Sequence, residues 1–281
     1  VAYAPVIPEK VHFADRVVDL DRIDFYERMD REMISFAFGH TNTLLTIKRA
    51  NRYAPGIVKI LKEQGVPEDL VYLAAIESHY DNAAVSSAKA VGMWQFMPST
   101  AKEYGLEVNE YVDERLDCDK STVAACKYFK RAYAKYKCWL TVAAAYNAGM
   151  GRISKSLETQ DVEHALDLYL NKETSRYIFR LLAMKLIIEN PARYGYAIKA
   201  NQLYQPLDCD TFVVAEPVKD WVQWSKEHNI TYSLLREYNP WIRSVSLPNP
   251  NNKTYVVKIP KETSLYRSKQ TLKTYRENWT R

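Results

Sequence analysis

The sequence predicts a mainly α-helical protein that ends in a small α/β module. Apolar residues recur with helical spacing from about Phe25 to Tyr194, and this region carries little strand signal. The helical pattern stops at Pro191. Residues 211–260 then show alternating apolar positions near both ends, which is typical of short strands.

The helical region follows an N-terminal stretch that contains Pro5 and Pro8. This predicts an extended arm that leads into a helix, so that residues 1–44 form an N-terminal arm and helix. Glycine and proline then mark helix ends, as Gly149 does. Ser121 is a predicted N-terminal cap. Further helices are predicted at about residues 55–64, 67–78, 121–137, 139–148 and 173–189.

The C-terminal module is predicted to run strand, helix, helix, strand within residues 211–260. We expect a linker without regular structure at residues 196–210 and a solvated basic tail at residues 261–281. The module holds enough apolar residues for a small core, although about 50 residues is near the lower limit for independent folding. We therefore predict that the module folds separately and that the helical region folds without it.

The composition is that of an ordinary soluble protein, with 47% apolar and 26% charged residues. The net charge of +5 arises from 39 basic and 34 acidic residues and forms no concentrated stripe, which argues against nucleic-acid binding. No run of about 18 apolar residues occurs, so no membrane span is predicted. The chain begins at Val1 without Met. We therefore expect a processed or truncated product whose signal or anchor segment is absent.

The four cysteines have neither metal-site nor redox-motif spacing. Cys126 and Cys138 are expected on one helix, where their separation would be ~18 Å, too far for a disulfide. We expect free thiols; a bond between Cys209 and one of the other cysteines is the alternative. We expect neither a metal site nor a cofactor.

Glu77 is a candidate catalytic acid. Leu70, Leu73, Ala74 and Glu77 share one helical stripe. A carboxylate at the end of an apolar stripe would be desolvated, which raises its pKa towards the range that a general acid needs at neutral pH. The alternative is a glutamate at a helix end that turns towards solvent.

A second motif spans residues 90–100. Gly92 permits close backbone approach, and Gln95 offers an amide donor and acceptor that can hold an N-acetyl group. A loop-to-helix segment that belongs to the core fits the same residues. If the motif binds a ligand, four residues are expected to form an apolar wall: Met93, Trp94, Phe96 and Met97.

Two further segments place aromatic and amide side chains near a cleft. Tyr146 and Asn147 lie where a helix breaks, so both can point into a cleft; a core Tyr beside a capping Asn is the alternative. Tyr177 shares a helical face with Leu181. A buried Tyr hydroxyl needs a partner. We therefore expect the Tyr177 hydroxyl within hydrogen-bond reach of Glu77.

Taken together, these segments resemble the four ordered motifs of the soluble-lytic-transglycosylase domain family. The motifs are Glu77-Ser78, Gly92 to Gln95, Ala145 to Gly149, and Tyr177. The resemblance covers about residues 45–195 and implies a helical, lysozyme-like catalytic domain of the goose type. One departure is Lys89, which stands where the family usually has glycine and puts the local turn in doubt.

The resemblance implies a bacterial enzyme that cleaves the MurNAc–GlcNAc β-1,4 bond of peptidoglycan without water and leaves 1,6-anhydromuramyl ends. It implies that Glu77 is general acid and then base, oriented by Ser78 and Tyr177. Gln95 and Asn147 are implied to contact the substrate. The remaining supporting residues are Met93, Phe96 and Tyr146, which shapes the cleft. A single carboxylate agrees with this chemistry, because most glycosidases that add water use two.

Residues 211–260 resemble a degenerate LysM module, a kind that binds N-acetylglucosamine-containing glycans. The usual Gly-Asp-Thr after the first strand is replaced by Ala215-Glu216-Pro217. A packing extension that has lost sugar binding is the alternative. Both resemblances imply peptidoglycan strands as the partner, a periplasmic or cell-envelope location, and association with the outer membrane or cell wall. We expect a monomer.

Two rival functions differ from this hypothesis. A lysozyme-type hydrolase on the same fold would need a second acidic residue across the cleft from Glu77. The second rival is a non-catalytic protein that binds the cell wall. Such a protein would not need Glu77 and its motif partners, so their presence argues against it.

Overall fold

The structure is a computed structural model that describes residues 3–280. Val1 and Ala2 of the predicted arm and Arg281 of the predicted tail lie outside the described residues. The helices are α1 (Ile23–Phe38), α2 (His40–Glu63), α3 (Val71–Ser78), α4 (Pro98–Glu103), α5 (Cys118–Tyr136), α6 (Trp139–Ala148), α7 (Met150–Gln160), α8 (Lys172–Glu189), α9 (Trp221–Glu227), α10 (Tyr232–Tyr238) and α11 (Glu262–Leu265). The strands are β1 (Lys10–Phe13), β2 (Arg16–Asp19), β3 (Cys209–Val214) and β4 (Tyr255–Pro260). The predicted mainly helical fold with a small α/β module is confirmed.

The N-terminal arm is not extended alone but forms an antiparallel hairpin. β1 pairs with β2, with Val11 opposite Val18. One face of this hairpin is buried in the helical core, where it places Val11, Phe13, Val18 and Leu20. The prediction of a simple arm is therefore wrong. Four-residue strands are too short for alternation alone to identify them.

Helix ends agree with the sequence where a strong stop signal is present. α6 has the predicted bounds because Gly149, at φ 87°, follows its last residue. α8 is capped by Asn171, whose side chain accepts from the Thr174 N–H. For α5, the cap is Asp117 rather than Ser121, which is fully buried. α2 starts fifteen residues before its predicted start and contains Pro55 in its interior.

The cysteines are free thiols. Cys126 and Cys138 do not share a helix, because α5 ends at Tyr136 and Cys138 caps α6. Cys118 and Cys209 line one crevice, which lies between the start of α5 and the C-terminal module.

The helical core is built around α8. This helix packs against α1, α3 and α6. Most of its side chains are buried, since it is covered on several sides; the buried set includes Tyr177, Ile178, Phe179, Leu181, Leu182, Met184, Ile187 and Ile188. A buried central helix gives any side chain that it presents to a neighbouring helix a fixed position.

The predicted linker is folded onto the helices. Tyr196, Ile198 and Leu203 are buried, and the Tyr196 hydroxyl donates to the Phe36 carbonyl over 2.6 Å. Residues 196–208 are mostly irregular, as expected for a linker, but they are packed against the helical region instead of running free of it.

The predicted solvated tail also returns to the core. Trp279 is 3% exposed, and its indole N–H donates to the Ile188 carbonyl over 2.7 Å. The Asn51 side chain on α2 accepts from the Tyr275 N–H and donates to the Lys273 carbonyl. Most tail side chains are nevertheless polar and exposed. One buried tryptophan and backbone hydrogen bonds therefore secure a segment whose composition is that of a solvated chain.

The C-terminal module has the predicted order of elements. β3 pairs with β4 in antiparallel register, with Phe212 opposite Val257, and α9 and α10 lie between the strands in the chain. Asn239 joins the second helix to β4, because its side-chain N–H donates to the Lys258 carbonyl and its oxygen accepts from the Lys258 N–H.

The module shares its core with the helical region. Its buried apolar residues form one cluster with Val91, Val112 and Leu116. Glu107 accepts hydrogen bonds from Lys253 and Tyr255 across the same contact. The separate folding of residues 211–260 stays a prediction, and this shared core argues against dispensability. The predicted boundary between residues 44 and 45 falls inside α2.

Among the helices of residues 3–280, none combines the length and the apolar character that crossing a bilayer requires.

We predict that Trp279→Ala destabilises the protein by about 3 kcal/mol, because it removes a large buried side chain and leaves the Ile188 carbonyl without its donor. Denaturant unfolding measures the loss. Leu272→Ala is the matched control, since Leu272 lies on the same tail and is 49% exposed; its effect should stay within about 0.5 kcal/mol. Equal effects of the two variants would contradict the packed-tail description.

Candidate active site

Glu77 lies in the last turn of α3, a helix whose preceding six residues are all buried. The helix ends at His79, which adopts a left-handed conformation at φ 54°. The Glu77 side chain is half-buried. The sequence-based alternative of a glutamate that turns freely to solvent is thus not what the structure shows.

The partner of Glu77 is Tyr177 on α8. The Tyr177 hydroxyl donates to Oε1 of Glu77 over 2.5 Å, so the contact expected from the sequence is present. Tyr177 is buried on the central helix. The carboxyl group is therefore held between two packed helices rather than by a mobile loop.

Burial raises the pKa of Glu77 to about 7. The hydrogen bond from Tyr177 and the positive charge of Arg180 act in the opposite direction and lower this pKa, whereas the negative charge of Glu173 raises it. Desolvation is the dominant effect. A carboxyl group with a pKa near 7 holds its proton for a useful fraction of the time at neutral pH, as a general acid must.

Ser78 connects α3 to the loop that follows it. Its hydroxyl lies 2.8 Å from the Met93 carbonyl oxygen and 3.0 Å from the Ala74 carbonyl oxygen. The hydrogen bonds of Ser78 therefore go to backbone, not to the Glu77 carboxyl group. The resemblance implied that Ser78 orients Glu77; in this geometry Ser78 ties the second motif to α3.

The loop of the second motif depends on Gly92. Gly92 has φ 86°, and a Cβ atom there would overlap the carbonyl oxygen of Arg115. The Arg115 guanidinium in turn donates to the Phe96 carbonyl over 3.0 Å and pairs with Asp113. Lys89 adopts φ 65°. The left-handed turn that glycine would favour is therefore kept with lysine in place.

These positions lie in a region that matches a known family. Residues 57–166 match the Transglycosylase SLT domain family, and residues 210–263 match the soluble lytic transglycosylase C-terminal LysM-like domain. The chain carries an SLT domain followed by a LysM-like domain. The family match agrees with the lysozyme-like part of the predicted fold. Tyr177 lies beyond the matched SLT range, and it is the structure that brings it to Glu77.

Two curated relatives of this chain are named lytic murein transglycosylases. Membrane-bound lytic murein transglycosylase D from Escherichia coli K12 is 31% identical over 219 residues, which are 76% of this chain and 47% of the relative. Membrane-bound lytic murein transglycosylase C from Haemophilus ducreyi is 27% identical over 189 residues, covering 59% of this chain and 51% of the relative. The chain spans about half the length of these two relatives.

Two solved structures are also similar to this chain. The 70-kDa soluble lytic transglycosylase of Escherichia coli is 19% identical, with a TM-score of 0.42, over 60% of this chain and 30% of that chain. The lytic transglycosylase Slt of Pseudomonas aeruginosa is 19% identical, with a TM-score of 0.39, over 50% of this chain and 24% of that chain.

The apolar residues of the second SLT motif do not form the wall expected from the sequence. Met93, Trp94 and Phe96 are buried, and the Trp94 indole N–H donates to the Thr122 hydroxyl over 2.9 Å. Met97, which is 42% exposed, is the member that reaches solvent. Met93 and Phe96 are therefore core residues of the second motif and do not form a surface that a ligand could contact. They fill the core because the loop folds back over α5.

Gln95 stays half-exposed in a left-handed conformation at φ 53°. Its side-chain N–H group donates to the Gly92 carbonyl over 2.9 Å and to the Ala84 carbonyl over 3.1 Å. Within residues 3–280 the Gln95 amide oxygen accepts no hydrogen bond. The Gln95 amide oxygen is thus available as an acceptor. The side-chain N–H group, which was expected to act as a donor to the substrate, is used in hydrogen bonds within its own loop.

Tyr146 and Asn147 lie at the end of α6 and are both half-buried. The Tyr146 hydroxyl donates to the Trp94 carbonyl over 2.6 Å, which links the third SLT motif to the second. The ring makes edge contacts with Phe96 and Tyr128. The Asn147 side chain makes no hydrogen bond to any described residue, so its amide is available to a ligand.

Two groups beside Glu77 were not singled out from the sequence. Arg180 lies one turn beyond Tyr177 on α8, and this i, i+3 spacing is the signal that could have found it. His79 is half-buried, and its Nδ1 lies 2.9 Å from the Thr46 hydroxyl oxygen. Burial and the charges of Arg180 and Arg49 lower its pKa. His79 is therefore favoured in its neutral form near pH 7.

We predict that Glu77→Gln stabilises the SLT domain at high pH. The folded-state pKa of Glu77 is raised from 4.5 to about 7. Stability is therefore lost as pH rises from about 4.5 to 7, by about 3 kcal/mol in total, because the folded state resists ionisation. Gln cannot ionise and avoids this loss.

Denaturant unfolding at pH 4 and pH 8 measures this effect. The difference between Glu77→Gln and the wild type should grow by about 3 kcal/mol between the two pH values. A difference that does not change with pH would show that burial leaves the Glu77 pKa near its ordinary value.

Proposed function

We propose that this protein is a peptidoglycan lytic transglycosylase in which Glu77 acts first as general acid and then as general base. The observation that carries the proposal is a single desolvated carboxyl group, held by Tyr177 over 2.5 Å, within an SLT domain. An isolated carboxyl group of raised pKa suits a reaction in which one residue must both give and take a proton.

In the first step, protonated Glu77 donates its proton to the glycosidic oxygen between N-acetylmuramic acid and N-acetylglucosamine. The bond from that oxygen to muramyl C1 breaks, and N-acetylglucosamine leaves with a free hydroxyl. The muramyl 2-acetamido oxygen stabilises the positive charge that develops at C1. The substrate thereby supplies the group that a second carboxylate supplies in most retaining glycosidases.

In the second step, Glu77 is a carboxylate and takes the proton of the muramyl C6 hydroxyl. The C6 oxygen forms a bond to C1 and closes the 1,6-anhydro ring. Glu77 regains the proton that it lost, and water is not consumed. The hydrogen bond from Tyr177 stabilises the carboxylate form between the two steps, because it lowers the pKa that burial raises.

The remaining residues have supporting roles in this proposal. The Gln95 amide oxygen accepts an N–H or O–H of the sugar, and the Asn147 amide makes a second contact. The Tyr146 ring forms part of the cleft wall. Ser78 fixes the loop that carries Gln95, through the Met93 carbonyl.

The relatives named membrane-bound lytic murein transglycosylases support murein as the substrate of this chain and a periplasmic or cell-envelope location. We further propose that the LysM-like domain, residues 210–263, contacts the glycan strand beside the SLT domain. The shared core of the two regions would then keep both contacts in a fixed relation on one strand.

A hydrolase is the rival proposal, and one residue favours it. Glu173, an exposed residue in the first turn of α8, is the carboxylate whose charge acts on Glu77. If Glu173 activated a water molecule, the protein would hydrolyse the glycosidic bond and leave reducing muramyl ends. Glu173 is exposed to solvent, so it lacks the desolvated setting of Glu77.

We predict that Glu77→Gln lowers sacculus cleavage at least ~100-fold, since it removes the only proton donor of the first step. Mass spectrometry of the muropeptides that wild-type protein releases should show 1,6-anhydromuramyl ends, which are one water lighter than hydrolysis products. Near-wild-type turnover by the variant would overturn the role of Glu77. Reducing ends as the main product would favour the hydrolase.

We predict that Glu173→Gln retains cleavage within about threefold, because a carboxylate that acts only through its charge at the protein surface has a small effect. Turnover of purified sacculi measures this. A loss as large as that of Glu77→Gln would assign a direct role in the reaction to Glu173 and support the hydrolase instead.

A further inference from the structure

Arg180 is a cation beside the candidate active site that has no anionic partner. It lies on α8 three residues after Tyr177 and is half-buried. Within residues 3–280 its guanidinium makes no ion pair and no hydrogen bond. Its Cζ atom lies 5.7 Å from the centroid of the Phe36 ring, a cation–π contact that fixes the side chain against α1.

Two other arginines of the helical region do have carboxylate partners. Arg176, one turn earlier on α8, donates to both carboxylate oxygens of Glu32 at 2.8 and 3.1 Å. Arg49 on α2 pairs with Asp81 at 3.3 Å. Arg180 differs from both in that its five donors face no protein acceptor.

The position of Arg180 is tied to the reacting group. Its charge acts on Glu77, on Tyr177 and on His79, the three polar side chains that surround the end of α3. Arg49 also acts on His79. Two basic side chains, Arg180 on α8 and Arg49 on α2, therefore act on the groups at the end of α3, and within the described residues only Arg49 has a carboxylate partner.

A half-buried guanidinium without a counter-ion is unfavourable for the free protein, because it loses hydration and gains no pair. The same group becomes favourable when a ligand brings a carboxylate, since the planar fork of donors matches a carboxylate with two hydrogen bonds. An arginine that points its donors at no protein acceptor is thus prepared for an anion from outside.

We propose that Arg180 is a substrate-binding residue that takes a carboxylate carried by the substituent on muramyl O3. This inference rests on the proposed function. Peptidoglycan offers that chemistry from two sources. On a glycan strand without peptides the lactyl group itself ends in a free carboxylate, and on a peptide-bearing strand the lactyl carboxyl is an amide while the peptide carries the carboxylates.

The experiment measures binding rather than turnover, because Arg180 also influences the Glu77 proton. All variants are made in the full chain with Glu77→Gln, which keeps the neutral form of that residue and prevents cleavage. The probes are glycan strands stripped of peptides by an amidase, peptide-bearing strands of the same length, and chitohexaose, which has no carboxylate.

Arg180→Met should weaken binding of at least one carboxylate-bearing strand by about 10- to 100-fold, as expected for a charged hydrogen-bonded pair. Chitohexaose binding should stay within about twofold. Arg180→Lys should show an intermediate loss, because lysine keeps the charge but not the planar fork. The strand that loses affinity identifies the source of the carboxylate.

Arg193→Met is the control for net charge. Arg193 is exposed and lies thirteen residues further along the chain, just beyond the end of α8. This variant should bind all probes as the parent does. Met at position 180 keeps an aliphatic contact with Phe36, and thermal unfolding checks that the fold is kept.

Two results would overturn the inference. The first is an equal loss for chitohexaose and for both carboxylate-bearing strands, which would make Arg180 a structural residue. The second is unchanged affinity for every probe. Failure of the proposed function would show itself separately, as a wild-type protein that leaves sacculi uncleaved whatever the binding results.

Discussion

The site depends on the burial of one carboxyl group between two helices. Glu77 ends α3, Tyr177 lies on the central helix α8, and a 2.5 Å hydrogen bond joins them. Burial raises the pKa of Glu77 to about 7, and the hydrogen bond limits that rise. Two opposing effects thus keep the carboxyl group able to give and to take a proton. The rest of the helical region can be understood as the support that keeps these two helices in register.

Part of that support comes from side chains that donate hydrogen bonds to backbone carbonyl groups of a neighbouring segment. Ser78 joins α3 to the second motif, and the Tyr146 hydroxyl joins the third motif to the Trp94 carbonyl. Gly92 allows the loop to pass against the Arg115 carbonyl, where no side chain fits. Residues with polar side chains in the family motifs therefore hold the loops, while Gln95 and Asn147 retain groups for a ligand. The LysM-like domain shares its core with the helical region, so it belongs to the same packed body.

The sequence predicted what depends on local signals. The bounds of α6 followed from Gly149, and the contact between Tyr177 and Glu77 followed from a polar group on each of two apolar stripes. Features that depend on tertiary contacts were missed. The N-terminal hairpin has strands of four residues, and the tail is secured mainly by Trp279, so neither has a detectable period. The unpaired state of Arg180 was also beyond the sequence, because it depends on which acids fold near it.

Glu77 is a desolvated acid that is substantially protonated near neutral pH. Carbon-13 NMR of the side-chain carboxyl groups, with Glu77→Gln to assign the signal, titrates this group directly. We expect a midpoint close to pH 7 for Glu77. A midpoint near 4.5, as for an ordinary glutamate, would contradict it, because such a group would be ionised before the substrate arrives.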